Sequence, residues 1–241
     1  MRYQLYYWPS IQGRGEFVRL ALEDAGADYV DVARQRTRGA GVPALMRYLE
    51  NDSVKRAPFA PPFLKAGNLV IAQTANILQY LGPRLGLVPT SEASRLWAHQ
   101  LQLTIADWLV QVHDTHHPIS GSLYYEQQKP EAKRRAAIFR AERLPKFLGY
   151  FERAIARNRG GNGCLVGRAV SYPDLSMFQM IAGLRYAFPQ AMARLERRHP
   201  RLAALHDRVS ARPRLAAYLA SDRRLPFNEK GIFRHYPELD G

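Results

Sequence analysis

Cysteine is nearly absent: Cys164 is the only one in 241 residues. One thiol cannot close an intrachain disulfide or a C-x-x-C pair, so a disulfide-stapled fold and a dithiol redox activity are both excluded by count. Long apolar runs are missing too. The chain is 46% hydrophobic, yet no segment approaches the ~18 consecutive apolar residues that a membrane span needs. The first residues carry no signal-peptide pattern, and internal repeats and low-complexity tracts are absent. A cytoplasmic protein without a membrane partner is the expectation. Acidic residues are scarce beside basic ones, 21 against 35, for a net charge of +14. Residues 1–82 hold 10 basic and 7 acidic residues and the remainder 25 and 14, so the excess lies in the second part. Such a surplus raises nucleic acid or acidic lipid as a partner. Its members (Arg134, Arg143, Arg153, Arg194 and Arg197) are instead scattered over predicted helices without interleaved aromatics, the pattern of a solvated surface.

What is present is organised around Ala60-Pro61-Pro62-Phe63-Leu64 and the run Ile71 to Leu81. Paired prolines, Pro61-Pro62, before an apolar strand donate no hydrogen bonds and admit a cis bond at modest cost. Lys65-Ala66-Gly67-Asn68 reads as a hairpin turn and Leu69 to Ile71 as the returning strand. Gln73-Thr74 then opens a helix with apolar residues at Ile77, Leu78 and Leu81. The free N–H groups of that helix start, together with the Thr74 hydroxyl, suit a carboxylate.

Upstream, Arg2 to Trp8 alternates as a strand, with Tyr3, Leu5 and Tyr7 on one face and Gln4, Tyr6 and Trp8 on the other. A helix is predicted from about Gly13 to Ala25, stopped by Gly26, and a second strand over Asp28 to Val32. Arg34 to Pro58 is irregular, with a helical turn near Ala44 to Leu49. The order βαβ then ββα describes a thioredoxin-like layer. Residues 1–82 form this predicted domain, 83–90 a Gly/Pro-rich linker, and 91–241 an all-α second domain. Its helices are expected at Ser91 to His116, Pro130 to Arg157, Tyr172 to Tyr186, Arg194 to Arg198, Leu202 to Ala211 and Arg214 to Ser221. Ser171-Tyr172-Pro173-Asp174 is a capping box, flanked by Val170 and Leu175 as a staple.

Pro62-x-Leu64, a hairpin glycine and Gln73-Thr74-x-x-Ile77-x-x-Tyr80-Leu81 resemble the P-x-L, D-G, Q/E-S-x-x-I-x-x-Y-L run of cytosolic glutathione transferases. Tyr7 through Leu20 resembles the Tyr-type enzymes, in which a tyrosine ends the first strand and G-R-x-E/A-x-x-R-x-x-L opens the first helix; a Tyr-type-like bacterial member is the resulting expectation. The resemblance implies a fold of two domains, α/β then all-α, a homodimer, and glutathione as co-substrate with no metal. It implies attack of the glutathione thiolate on a small hydrophobic electrophile, or reduction of a hydroperoxide by the same thiolate. Tyr7 would donate a hydrogen bond to the sulfur, with Ser10 as the Ser-type alternative and Tyr6 a further one. Gln73 and Thr74 would hold the γ-glutamyl carboxylate, and the residue before the cis Pro62 the cysteinyl backbone. Lys55 and Arg56 would face the glycyl carboxylate, with Arg36 and Arg38 as rivals. His113, His117 and Trp8 would border the electrophile, and Tyr124-Tyr125 would share that wall.

Two features depart from the family pattern. The loop from Tyr7 to Gly13 is one residue longer than usual, which puts Gln12 where an arginine is common. Pro61 has no N–H to give the cysteinyl unit, so one ordinary hydrogen bond, worth ~0.5–1.5 kcal/mol, is missing. These departures favour, as an alternative, a non-catalytic glutathione-binding or interaction module on the same fold. The net charge favours a second one, a nucleic-acid or ribosome-associated adaptor. The spacing of His113 and His117 also admits a metal, which the resemblance does not call for.

Overall fold

The computed structural model describes residues 1–241. β1 (Tyr3–Tyr6) lies at the centre of a four-stranded sheet of order β2-β1-β3-β4. It runs parallel to β2 (Tyr29–Asp31) and antiparallel to β3 (Phe63–Ala66), which pairs antiparallel with β4 (Leu69–Ala72) across the Gly67-Asn68 turn. Gly67 takes φ 61°, the left-handed conformation a two-residue turn requires. α1 (Gly15–Ala25) and α3 (Thr74–Arg84) cover the face bearing Tyr3, Leu5 and Leu64 through Val18, Leu22, Ile77 and Leu81. On the other face α2 (Val42–Leu49) lays Ala44 and Leu45 over Tyr6 and Phe63. Period-two alternation in β1 thus divides the layer as a thioredoxin-like unit requires. β1 is shorter than predicted, because Tyr7 and Trp8 leave the sheet to begin the loop into α1.

The remainder is helical. α4 (Glu92–His113) begins at Ser91, whose Oγ accepts the Ser94 N–H at 3.3 Å. α5 (Lys129–Ile138) joins α6 (Leu144–Arg157) through a π-helical turn at Phe139–Arg143, where an unbroken helix is predicted. Pro145 accounts for the difference: its ring crowds the carbonyl four residues earlier and supplies no N–H, so the turn ahead of it widens. α7 (Tyr172–Ala187) runs through the middle of this domain, followed by α8 (Pro189–Leu195), α9 (Pro200–Ser210) and α10 (Pro213–Leu219). At its head the Asp174 carboxylate accepts the Ser171 N–H at 2.8 Å and the Leu165 N–H at 2.7 Å, so the capping box also pins the preceding loop. Trp108 of α4 stacks on Phe147 of α6 at 5.0 Å, inside one apolar core that also takes in Phe17 and Leu20 of α1 and Leu78 of α3.

α3 runs two residues past Gly82, through Pro83 to Arg84. Leu87 and Val88, which follow, are buried in the helical core. The two layers are further joined by an ion pair and a buried hydrogen bond: Arg212 Nη2 donates to the buried Asp24 at 2.9 Å, and the buried Tyr218 hydroxyl donates to Glu16 at 2.7 Å. Residues beyond α10 leave the helices and cross back over the start of α1.

Candidate active site

Beyond β1 the chain turns under its own next helix. Tyr7 is buried, and Gly13 and Gly15 lie so close to its ring that a Cβ at either would fall within 3.0 Å of it. Gly13 also has φ 45°, so glycine is required there twice over. The Tyr7 hydroxyl accepts the Arg14 N–H at 2.9 Å and donates to no group of the protein, which leaves its proton for a ligand. Burial raises its pKa, against the Arg14 hydrogen bond and the nearby Arg14 and Arg19 charges that lower it. The group therefore stays a phenol at neutral pH and acts as a hydrogen-bond donor.

Arg14 turns its side chain into a cavity of about 350 Å³ between the two layers. Gln73 and Thr74 line the same cavity at the head of α3, and His99 and Gln102 of α4 close it from the other side. Gln73 has φ 69°, rare for a residue with a side chain and a common mark of ligand sites. Thr74 Oγ1 is shielded from solvent yet has no hydrogen-bond partner. An unpaired buried hydroxyl costs ~1–3 kcal/mol, and here it sits beside the first N–H groups of α3 and a guanidinium. The donors present fit a carboxylate.

The longer first loop is accommodated by Gln12 rather than by Tyr7. Gln12 is buried: its Nε2 donates to the Leu225 carbonyl, and its Oε1 accepts from Gln179 at 2.8 Å. Ser10 is exposed at the tip of the loop, with its carbonyl accepting the Asn228 amide at 3.0 Å. Tyr6 points to the opposite face, stacked on Phe63 at 4.5 Å, with its hydroxyl donating to Gln4 at 2.9 Å. The Pro61-Pro62 bond is cis, and Pro62 is buried where the chain enters β3.

Other predicted residues stand apart from this cavity. Lys55 and Arg56 lie on an exposed loop, as do Arg36 and Arg38, and no protein group pairs with them. Trp8 is half-buried and packs with the apolar group under α2, which includes Tyr6 and Phe63. His113, His116 and His117 form a mutually packed trio at the end of α4, with ring centres 4.9–5.1 Å apart. Burial, together with neighbouring charges that include Arg14 for His113, holds His113 down to about 4. Burial holds His116 down to about 2, and its Nε2 lies 2.8 Å from the Ile232 carbonyl, the geometry of an N–H donor. Both rings are therefore neutral at physiological pH. His117 lines a second cleft, of about 530 Å³, with Tyr124, Tyr125, Arg234 and Tyr236. No group of three or more His, Cys, Asp or Glu is arranged to hold a metal ion, and no helix is long and apolar enough to cross a membrane.

Arg14, His99 and Gln102 are the cavity residues that motif reading passes over. Arg14 lies inside the quoted run that opens α1. His99 and Gln102 show only as polar residues three apart on the inner side of an otherwise apolar helix face.

Residues 113–222 match the family model described as the C-terminal domain of glutathione S-transferases. A glutathione S-transferase of Plasmodium falciparum (isolate 3D7) is 25% identical over 222 residues, covering 90% of this chain and 94% of the relative. Glutathione S-transferase P 1 of Xenopus laevis is 26% identical over 223 residues, covering 92% and 93%. Among solved structures, the Pi-class glutathione S-transferase of Onchocerca volvulus superposes with a TM-score of 0.71 at 22% identity, over 96% of this chain and 99% of that one, a likeness that shows the fold.

Proposed function

We infer that this chain is a member of the glutathione transferase family and an enzyme that transfers glutathione to small hydrophobic electrophiles. The observation that carries the reading is Arg14: its N–H holds the Tyr7 hydroxyl while its side chain lines the carboxylate-seeking cavity at Thr74. One residue thus couples the group suited to a sulfur with the group suited to a γ-glutamyl carboxylate. Within the family we propose a Tyr-type enzyme. The reported relatives are eukaryotic, so a bacterial member finds no support among them.

Glutathione would place its γ-glutamyl carboxylate on Thr74, the α3 N-terminus and Arg14, with Gln73 at its edge. Its cysteinyl backbone would meet the Pro61 carbonyl, and its glycyl end would extend toward the exposed Lys55 and Arg56. A free thiol has a pKa of ~8.5 and is only a few per cent ionised at neutral pH. A hydrogen bond from the Tyr7 phenol favours thiolate over thiol, and a two-unit drop in thiol pKa enriches the nucleophile up to ~30-fold, worth about 2–3 kcal/mol. The thiolate then attacks the electrophile and the leaving group departs; a hydroperoxide would be reduced by the same sulfur. The electrophile would lie toward His113 and His117 as neutral polar contacts, with Trp8, Tyr124 and Tyr125 bordering it. Glutathione supplies the chemistry and the reading involves no metal.

 

A homodimer and a cytoplasmic location follow from the family reading. Leu96, Leu103 and Val110 recur every seven residues along α4 and are 62%, 48% and 47% exposed. Phe59, on the loop before the cis bond, is 94% exposed. A second copy of the chain would cover such a stripe. The family reading is tested by retention on glutathione-agarose and turnover of chlorodinitrobenzene. Retention with turnover is expected; retention without turnover would leave a binding module, and neither would end the reading.

A further inference from the structure

The cleft of about 530 Å³ beside His117 contains a guanidinium without a counter-ion. Arg234 donates from Nε to the Gly231 carbonyl at 2.8 Å and pairs with no carboxylate of the chain. Two carboxylates share the cleft, Glu126 and Glu229, and their charges reach Tyr236. Burial lowers the pKa of His113, His116 and His117, and the Arg234 charge adds to it at all three rings. The histidine end of the cleft is therefore its positive end. His117 supplies a further donor there. The Gln128 amide is oriented by the Ile119 N–H, which its oxygen accepts at 3.0 Å, and by the Ser120 carbonyl, to which its nitrogen donates at 3.0 Å. That nitrogen also lies 3.1 Å from His117 Nδ1, so Nδ1 accepts and the proton of the neutral ring sits on Nε2, which no group of the chain receives. Tyr125, stacked on Tyr236 at 3.8 Å, and the exposed Tyr124 add flat apolar surface along the same cleft. The other end of the histidine trio lies toward Tyr7: the charge of Arg14, whose N–H holds the Tyr7 hydroxyl, reaches His113, and His113 packs on His117 at 5.0 Å.

We propose that Arg234 and His117 receive an anionic group on the electrophile, so that the enzyme selects flat electrophiles whose carboxylate or sulfonate lies on the side away from the leaving group. The proposal rests on the glutathione reading above and names the substrate class of its second site. A guanidinium meets such an anion through paired, charge-assisted hydrogen bonds, and the tyrosine rings take up the apolar body. With 4-chloro-3,5-dinitrobenzoate the glutathione thiolate adds at the chlorine-bearing carbon. The C–S bond forms, the C–Cl bond breaks and chloride leaves with the bonding electrons, the thiol proton having passed to solvent. The carboxylate is para to that carbon and takes no part in the bonds made or broken.

The test measures kcat/KM for 4-chloro-3,5-dinitrobenzoate and for its methyl ester in the wild type, Arg234→Met and Arg234→Lys. The acid-to-ester ratio is expected to fall about tenfold or more in Arg234→Met, the scale of a hydrogen bond to a charged group, and to recover in part in Arg234→Lys. Taking the ratio between proteins cancels the different intrinsic reactivity of acid and ester. In the wild type, added potassium chloride should raise KM for the acid and leave that for the ester; this arm needs no variant to fold. A ratio unmoved by Arg234→Met, equal salt responses of the two substrates, or turnover of the ester alone would overturn the proposal and leave the transferase reading standing. Turnover of neither substrate, nor of chlorodinitrobenzene, would overturn both.

Discussion

Tyr7 shows how one side chain is prepared by its neighbours. Two glycines press on its ring, the Arg14 N–H occupies its oxygen, and burial keeps it protonated. Tyr7→Phe removes only the hydroxyl, so the fold should persist while the pKa of bound glutathione rises toward its free value. Turnover near pH 6.5 is expected to fall by about one to two orders of magnitude with little change in affinity. The ultraviolet absorbance of bound thiolate against pH measures it, and an unshifted curve would remove Tyr7 from the role. Ser10→Ala, at an exposed loop tip, should do much less. Thr74→Ala deletes a hydroxyl from a charge-assisted bond and should weaken glutathione binding by ~10- to 150-fold; unchanged affinity by calorimetry would refute the carboxylate assignment.

At the scale of elements, the segment after α10 acts as a clasp. Arg224 pairs with the fully buried Glu16 and donates to Gln179 at 2.9 Å, and Leu225 receives Gln12 from the first loop. Arg224→Ala would leave Glu16 with Arg19 and Tyr218 as its remaining partners. Removing one member of a buried ionic group is strongly destabilising, and about 2–4 kcal/mol is expected here. A urea midpoint indistinguishable from wild type would show that the clasp carries no stability. The end of α4 supplies a pH dependence. The unfolded chain binds protons at His113 and His116 below about 6.5, whereas the folded chain resists them until about 4 and about 2. The unfolded state therefore holds more protons in that window, and stability falls as pH drops from about 6.5 toward 4. Replacing both histidines with glutamine should flatten this part of the urea-midpoint profile; an equally steep profile would assign the loss to other groups.

For the whole molecule, the stripe on α4 and Phe59 are among the large apolar side chains left exposed in a protein of net charge +14. A dimer is expected by light scattering, and Leu103→Glu should shift it toward monomer, since a charge placed in an apolar interface must be desolvated. A monomeric wild type would refute the assembly.

Local order was legible wherever a residue type answers to chain geometry. Alternation in Tyr3 to Tyr6, the turn at Gly67 and the capping box at Ser171 all act over a few residues, so the βαβ–ββα layer and the long helices could be read from spacing; paired prolines by themselves only admit a cis bond, and the expectation of one at Pro62, which the structure has, rests on the family resemblance. Pro145 was present in the sequence too, but its effect depends on whether a helix approaches it from the other side, and the π-helical turn appears only once α5 and α6 are joined. Gln73-Thr74 could be read as a candidate for a carboxylate because a helix N-terminus is a local feature. The opposite wall of that cavity could not: His99 and Gln102 lie more than twenty positions away and come to line it only when α4 packs against α3. The same holds for Gln12, whose partners are Gln179 and Leu225. Hydrogen-bonding patterns within a turn or a strand are written in adjacent residues, whereas which polar atoms end up buried without a partner is settled by how distant segments exclude water from one another.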